Sequence, residues 1–179
     1  MIRYIALLLL ASPALAETCP AVPDRSEEKA ALYAGLQSAE NEMGAAPFNA
    51  ALWEIWLDAP DEIAQAMLDE GMALSRVYDF LGSAAVLGDL VAYCPDYAEG
   101  YNQRAFTYFL ARDFENALTD LDRTLAIDPD HIGALSGKGL TLIELGRNDE
   151  AQIVLKMAVA LHPWLAERAL IQEPDGTDI

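Results

Sequence analysis

Positive charge is scarce in this chain of 179 residues, which sets 11 lysines and arginines, only three of them lysine, against 29 aspartates and glutamates. The formal net charge of −18 creates a field that repels nucleic-acid phosphates and anionic lipid surfaces, so neither is an expected partner. The same field favours a basic or polyamine-like partner, or serves solubility alone. Histidine is scarcer still. His131 and His162 fall at the boundaries of separate helices rather than on one helical face, so no metal site is expected; His162, near a predicted helix C-terminus, is expected to complement the helix dipole or to lie exposed.

Catalytic constellations are missing too. Gly137-Lys138 looks like the end of a phosphate loop, but Gly139 stands where Ser or Thr is required and Ile132 where the first Gly belongs. Asp128-Pro129-Asp130 starts like a calcium loop, yet Ile132 fills the third ligand slot and no Glu closes the loop. The carboxylate pairs Asp120 and Asp122, or Asp113 and Glu115, lie two residues apart and cannot share a helix face. No serine has histidine and aspartate for company. No catalytic residue, no enzyme activity and no cofactor is therefore expected.

Hydrophobic content is 53% and charged content 22%, which suits one helical domain long enough to bury a core. The extreme N-terminus differs from the rest. Arg3 precedes an apolar run from Tyr4 to Ala11, followed by Ser12, Pro13 and the small-x-small sequence Ala14-Leu15-Ala16. This is the pattern of a cleavable signal peptide, residues 1–16, and predicts a bacterial protein exported to the periplasm or secreted. The run is too short to span a bilayer, and Thr18 before Cys19 is unsuited to lipid attachment, so no stable membrane anchor is expected. An uncleaved anchor is the alternative.

What the chain does have is a period. Pro95, Pro129 and Pro163 are 34 residues apart, and the residues between them recur in phase. Tyr101, Arg104, Ala105, Tyr108, Ala117, Leu121 and Thr124 in one copy answer to Leu135, Lys138, Gly139, Leu142, Ala151, Leu155 and Ala158 in the next. A weaker copy precedes them, with Met67, Gly71, Leu74, Ser83, Leu87 and Leu90 in the same slots and departures at Glu70 and Ser83. A period of this size marks stacked helical hairpins, none of which buries its apolar face alone. Small residues in two slots let paired helices approach, and proline ends the second helix. Asp96 and Asp130 are candidate N-caps, Asp96 with Glu99 being spaced as a capping box.

In these slots the chain resembles the tetratricopeptide repeat family. The resemblance implies an all-α, right-handed superhelical solenoid of antiparallel hairpins with a capping helix at its C-terminal end. The expected organisation is an N-terminal extension (17–25), a degenerate first hairpin (26–61), one repeat-like unit (62–97), two repeats (98–131 and 132–163), a capping helix (164–172) and a flexible tail (173–179). In the first hairpin the frame places Tyr33, Leu36, Gly44, Trp53 and Trp56 in marked slots, with misfits at Gln37 and Glu40.

In that family ligands lie in the groove formed by the first helices. The matching positions are Gln65, Asp69, Met72 and Arg76, then Glu99, Asn102, Gln103, Phe106, Phe109 and Leu110, then Ser136, Leu140, Ile143 and Glu144. Apolar centres flanked by amides and acids suit a peptide, with Asn102 and Gln103 able to bond its backbone, while the scarcity of lysine argues against clamping of an acidic tail. A groove covered by neighbouring helices or a packed terminus is the alternative. Export places Cys19 and Cys94 in an oxidising compartment, where a disulfide between them, fastening the first hairpin to the stack, is expected over free thiols. The expected function is a non-catalytic exported adaptor that binds another protein or peptide of the cell envelope. A protein that binds a small ligand or an envelope polymer is the alternative.

Overall fold

The computed structural model describes residues 18–172; the signal peptide and the tail at 173–179 expected from sequence lie outside the described residues. Those residues form eight α-helices and no strand. Two pairs open the chain, α1 (Ser26–Ser38) with α2 (Glu42–Leu57) and α3 (Glu62–Arg76) with α4 (Phe80–Tyr93). Two more follow, α5 (Ala98–Leu110) with α6 (Phe114–Ile127) and α7 (Ile132–Glu144) with α8 (Asn148–Leu161), before a 3-10 helix at Ala166–Leu170. The closing element is thus shorter and more tightly wound than the helix foreseen at 164–172. No helix among the described residues is long and apolar enough to cross a membrane.

From α3 onward the 34-residue period is written into the backbone. Tyr78, Arg112 and Gly146 are equivalent residues and all have positive φ, 65°, 62° and 73°. The next N–H in each case returns to a carbonyl five residues back, Asp79 to Leu74 at 3.0 Å, Asp113 to Tyr108 at 2.9 Å and Arg147 to Leu142 at 2.8 Å. This is the left-handed stop that satisfies the last carbonyls of a helix. Gly146 adopts it freely, whereas a side chain there costs about 1 kcal/mol. The second helices end in step as well, with Cys94, Asp128 and His162 donating to Leu90, Thr124 and Ala158.

Small residues set the spacing of paired helices. Gly71, Ala105 and Gly139 on the first helices, and Ser83, Ala117 and Ala151 on the second, are all buried. Ser83 is tolerated in an apolar slot because its hydroxyl bonds Gly71 O and Thr107 Oγ1, each at 2.8 Å. Asn41, Asp61, Asp79 and Asp113 cap their helices by accepting the N–H three residues on. Asp96 and Asp130 do not. Each lies one residue outside its helix cap: α5 starts after Tyr97 with no side-chain cap, and α7 is capped by His131, whose Nδ1 accepts the Ala134 N–H at 3.2 Å.

The first hairpin departs from the period. Its turn falls at Ala39–Asn41, and Gly44, the equivalent of the left-handed residues, lies inside α2. It also does not lead the stack. On α5, Gly100, Arg104 and Thr107 face α4, Gly100 beside Leu90 and Val91 and Thr107 bonded to Ser83. Their equivalents on α3 are Ala66, Glu70 and Ala73, all exposed. A stripe of two alanines and a glutamate offers little apolar area to a preceding helix. Instead α1 and α2 lie across the face made by the first helices. Gln37 Nε2 donates to Ala160 O of α8 at 3.1 Å, Tyr33 Oη donates to Asp130 O, and Lys29 pairs with Asp128 at 2.7 Å. Tyr33, Leu36, Leu52 and Trp56 share one core with Ile132, Leu161, Trp164 and Leu165.

A disulfide joins Cys19 to Cys94, 75 residues apart in sequence, tying the segment before α1 to the end of α4. His162 is buried rather than exposed, its Nδ1 accepting the Trp164 N–H at 3.3 Å. Burial, chiefly, pushes its pKa below the ordinary histidine value. A group depressed in this way stays neutral in the fold, while the unfolded chain binds a proton near pH 6.5. Stability from His162 is therefore complete above about pH 6.5 and declines as pH falls below it. Urea midpoints of wild type and His162→Asn, which keeps an acceptor without titrating, should diverge between pH 7.5 and 5.5, the wild type losing more. Parallel pH profiles would refute this assignment.

Candidate functional site

α3, α5 and α7 lie side by side and present one face, and α2 runs over the N-terminal half of that face. It fits there because the first turn of α7 is bare. Gly133 has no side chain, and a Cβ added to it would meet the Trp53 ring at 2.8 Å. Trp56, one turn along α2, stacks on His131 with ring centres 4.0 Å apart and planes inclined by 16°. The two tryptophans meet edge to face at 5.2 Å.

Beneath this aromatic cover sits a buried carboxylate. Glu99, 1% exposed, accepts from Asn102 Nδ2 at 3.1 and 3.2 Å, from Gln103 Nε2 at 2.6 Å and from His131 Nε2 at 2.8 Å. Four contacts to charge-compatible donors compensate for its removal from water. Glu99 is therefore fully engaged by its own protein.

The uncovered remainder of the face is a cavity of about 590 Å³. Its apolar wall comes from Met72, Phe106, Phe109 and Leu140, joined by Trp53 and Leu165. Asn102, Gln103, Ser136 and Arg76 supply polar groups, as do Asn49 and Glu167. Phe106 is 52% exposed, an unusual state for a phenylalanine at the centre of a helical face. Arg76 has no ion pair among the described residues; its Nε donates to Met72 O of its own helix at 3.2 Å.

Of the groove positions expected from sequence, Met72, Arg76, Asn102, Gln103, Phe106, Phe109, Ser136 and Leu140 converge on this cavity. The others do not line it. Gln65 bridges Ala59 N and Asp69, Leu110 lies at the surface, Ile143 packs towards α8, and Glu144 faces Arg112 at 3.8 Å. Asn49, Trp53, Leu165 and Glu167 belong to the cavity but come from the first hairpin and the C-terminal segment, outside the repeats. The hint lay in Glu70, a charge in a slot that should meet a preceding helix, and in two tryptophans within a hairpin out of phase with the rest.

A second hollow of about 440 Å³ lies on the other side of Trp56, among Asp24, Asp58, Asp96, Asp128 and Asp130. Its aromatic groups are internally engaged, Trp56 Nε1 donating to Asp128 at 3.1 Å and Tyr97 Oη to Trp56 O at 2.6 Å. It is the seam between the first hairpin and the loops of the stack. No cluster of metal-ligating side chains occurs among the described residues.

Residues 108–163 match the family model of the tetratricopeptide repeat. A TPR repeat-containing protein of Rhizobium etli is 40% identical over 70 residues, 39% of this chain. That match spans 33% of the relative's own length. Among solved structures, the first TPR of Spaghetti (RPAP3), bound to the HSP90 peptide SRMEEVD, superimposes with a TM-score of 0.59 at 18% identity, covering 61% of this chain and 86% of that one. The Sgt2 TPR domain from Aspergillus fumigatus gives 0.58 at 17% identity, with 68% and 91% covered. MamA gives 0.53 at 21% identity, with 74% and 77% covered. At these identities the likeness is one of fold.

Proposed function

The chain is a tetratricopeptide-repeat protein, and from that premise we propose that it is a non-catalytic adaptor which holds a short apolar segment of another protein in the bounded cavity of its first helices. The observation that carries this reading is the half-exposed Phe106 at the centre of an apolar hollow of about 590 Å³. Solvent contact there is costly unless a partner removes it. Related folds support the choice of partner class, since the Spaghetti domain was captured with a peptide. The cavity differs from a bare groove of first helices, because Trp53 of α2 and Leu165 join its lining, and its volume suits a few residues of a partner.

Export to the envelope of a bacterium is part of the proposal. The signal-like N-terminus and the Cys19–Cys94 bond support it, disulfides persisting where the compartment is oxidising. The acidic surface supports a partner that is basic outside the captured segment. Truncating a central aromatic anchor removes about 2 kcal/mol of binding, roughly a 30-fold loss of affinity. Phe106→Ala should therefore abolish recovery of the partner in a cross-linking pull-down from an envelope fraction while helicity is unchanged. Undiminished recovery by this variant would overturn the reading.

The volume of about 590 Å³ also favours a second reading, a small-ligand or envelope-polymer binding protein, because it falls within the range of small-molecule sites, about 300–1,000 Å³. A ligand-dependent rise in melting temperature with no protein recovered would select it.

A further inference from the structure

We infer that the Cys19–Cys94 bond is a redox latch for the cavity: closed, it holds the first hairpin over the first helices and completes the site, and opened by a dithiol it lets the hairpin lift and takes the site apart. This names how the adaptor site is regulated and rests on the adaptor reading. Its basis is the way the hairpin is fastened. α4, α6 and α8 end at the equivalent positions Cys94, Asp128 and His162, and the N-terminal segment meets that row once per repeat. Cys19 is bonded to Cys94, Lys29 pairs with Asp128 at 2.7 Å, and Gln37 donates to Ala160 O, two residues before His162, at 3.1 Å. Only the first fastening is covalent. The ion pair keeps some contact with water and the amide bond lies at the surface, so neither constrains the hairpin as a cross-link over 75 residues does.

The hairpin is otherwise a nearly self-contained unit. Of the buried set Tyr33, Leu36, Ala45, Leu52, Trp56 and Ile132, only Ile132 belongs to the stack, with Leu161, Trp164 and Leu165 adding partly buried contacts. Yet this unit carries part of the cavity. Trp53 and Asn49 line it from α2, and Leu165, which packs on the hairpin's core, lines it from the C-terminal segment. Lifting α2 therefore removes the Trp53 wall, unseats Leu165 and uncovers His131, whereas Met72, Phe106 and Leu140 stay on α3, α5 and α7. Latched and released chains thus differ in the surface they offer a partner, which is the condition for a switch to act on binding.

The bond is placed for exchange. Cys19 is partly exposed, on a segment without helix, while Cys94 is 1% exposed. A thiolate of the dithiol attacks the Cys19 sulfur, and the S–S bond breaks with its electron pair passing to Cys94, which takes up a proton. The second thiol of the reductant then displaces Cys19 as a free thiol, and the reductant leaves as its own disulfide.

Modification of His131 by diethyl pyrocarbonate, read by mass spectrometry on the full chain, tests the latch without any partner. His131 is fully buried beneath Trp56; after treatment with dithiothreitol, removed under argon, its rate of modification should rise at least about 100-fold, the order of the closure advantage the bond supplies. Circular dichroism should keep its helical signal. In parallel, the cross-linking pull-down from an envelope fraction should recover at least about tenfold less partner with the reduced than with the oxidised protein, as expected when one wall of a binding site is lost. The double variant Cys19→Ser with Cys94→Ser should match the reduced protein in both measurements. Unchanged modification of His131, or collapse of the helical signal on reduction, overturns the latch and leaves the adaptor reading standing. Faster modification with undiminished recovery overturns control of the site by the latch, again sparing the adaptor reading. Absence of any recovered partner with the oxidised protein overturns both.

Discussion

Replacing Cys19 and Cys94 together by serine is expected to lower the stability of the fold by about 4 kcal/mol, the chain-entropy value for a loop of this length. The bond closes 75 residues of sequence, and that segment contains the whole first hairpin. Without the bond, α1 keeps its packing on α2 and Ile132, its contacts with α8, the Tyr33 bond to Asp130 O and the partly buried pair Lys29 and Asp128. The loss should therefore be uneven. Chemical denaturation should show a lowered midpoint, and amide exchange should accelerate most in α1 and α2, while α5 to α7 remain protected. A midpoint within error of the wild type would mean that the bond merely decorates a hairpin already held by its core. Uniform acceleration would mean that the hairpin and the stack unfold as one body.

Glu99→Leu is the second large expected effect. The substitution keeps bulk in the position but removes the acceptor on which three side chains converge, leaving the fully buried His131 Nε2–H and the amides of Asn102 and Gln103 without their partner. Each stranded buried donor costs about 1–3 kcal/mol, and the amides recover part of that by turning to the cavity. The net loss should be about 3 kcal/mol by urea denaturation. Glu99→Gln, which retains one oxygen, should lose about 1 kcal/mol. If the two variants prove equally stable, the carboxylate is not the hub of the network.

Much of this architecture is readable from residue spacing, because a repeat must satisfy the same local geometry three times over. Pro95, Pro129 and Pro163 mark loops of one kind, and the small residues at Gly71, Ala105 and Gly139 mark one kind of helix approach. The left-handed turns at Tyr78 and Arg112 leave no mark in the sequence, because neither residue type favours positive φ, although Gly146 occupies the same slot. The caps of α5 and α7 fall one residue beyond Asp96 and Asp130, at Tyr97 and His131, because residue type alone does not fix which position begins a helix.

The candidate site divides along the same line. Phe106, Asn102, Met72 and Leu140 reach the cavity because they occupy periodic positions on first helices. Trp53 and Leu165 reach it through docking of non-repeating segments, and no periodic signal encodes where such segments land. The burial of Glu99 depends on His131, 32 residues away in the next repeat, and became visible only when the two helices were set beside each other.

A row of hairpins joined only to its neighbours loses its outermost member cheaply, since peeling one unit off disturbs a single seam. Here α1 and α2 reach from the disulfide at the end of α4 over α5 and α7 to α8. Peeling off α8 must then also strip Gln37 and Leu36 of their contacts, and loosening α1 must unseat Ile132. The row behaves as a buckled belt, whose last hole cannot be released without slackening its first.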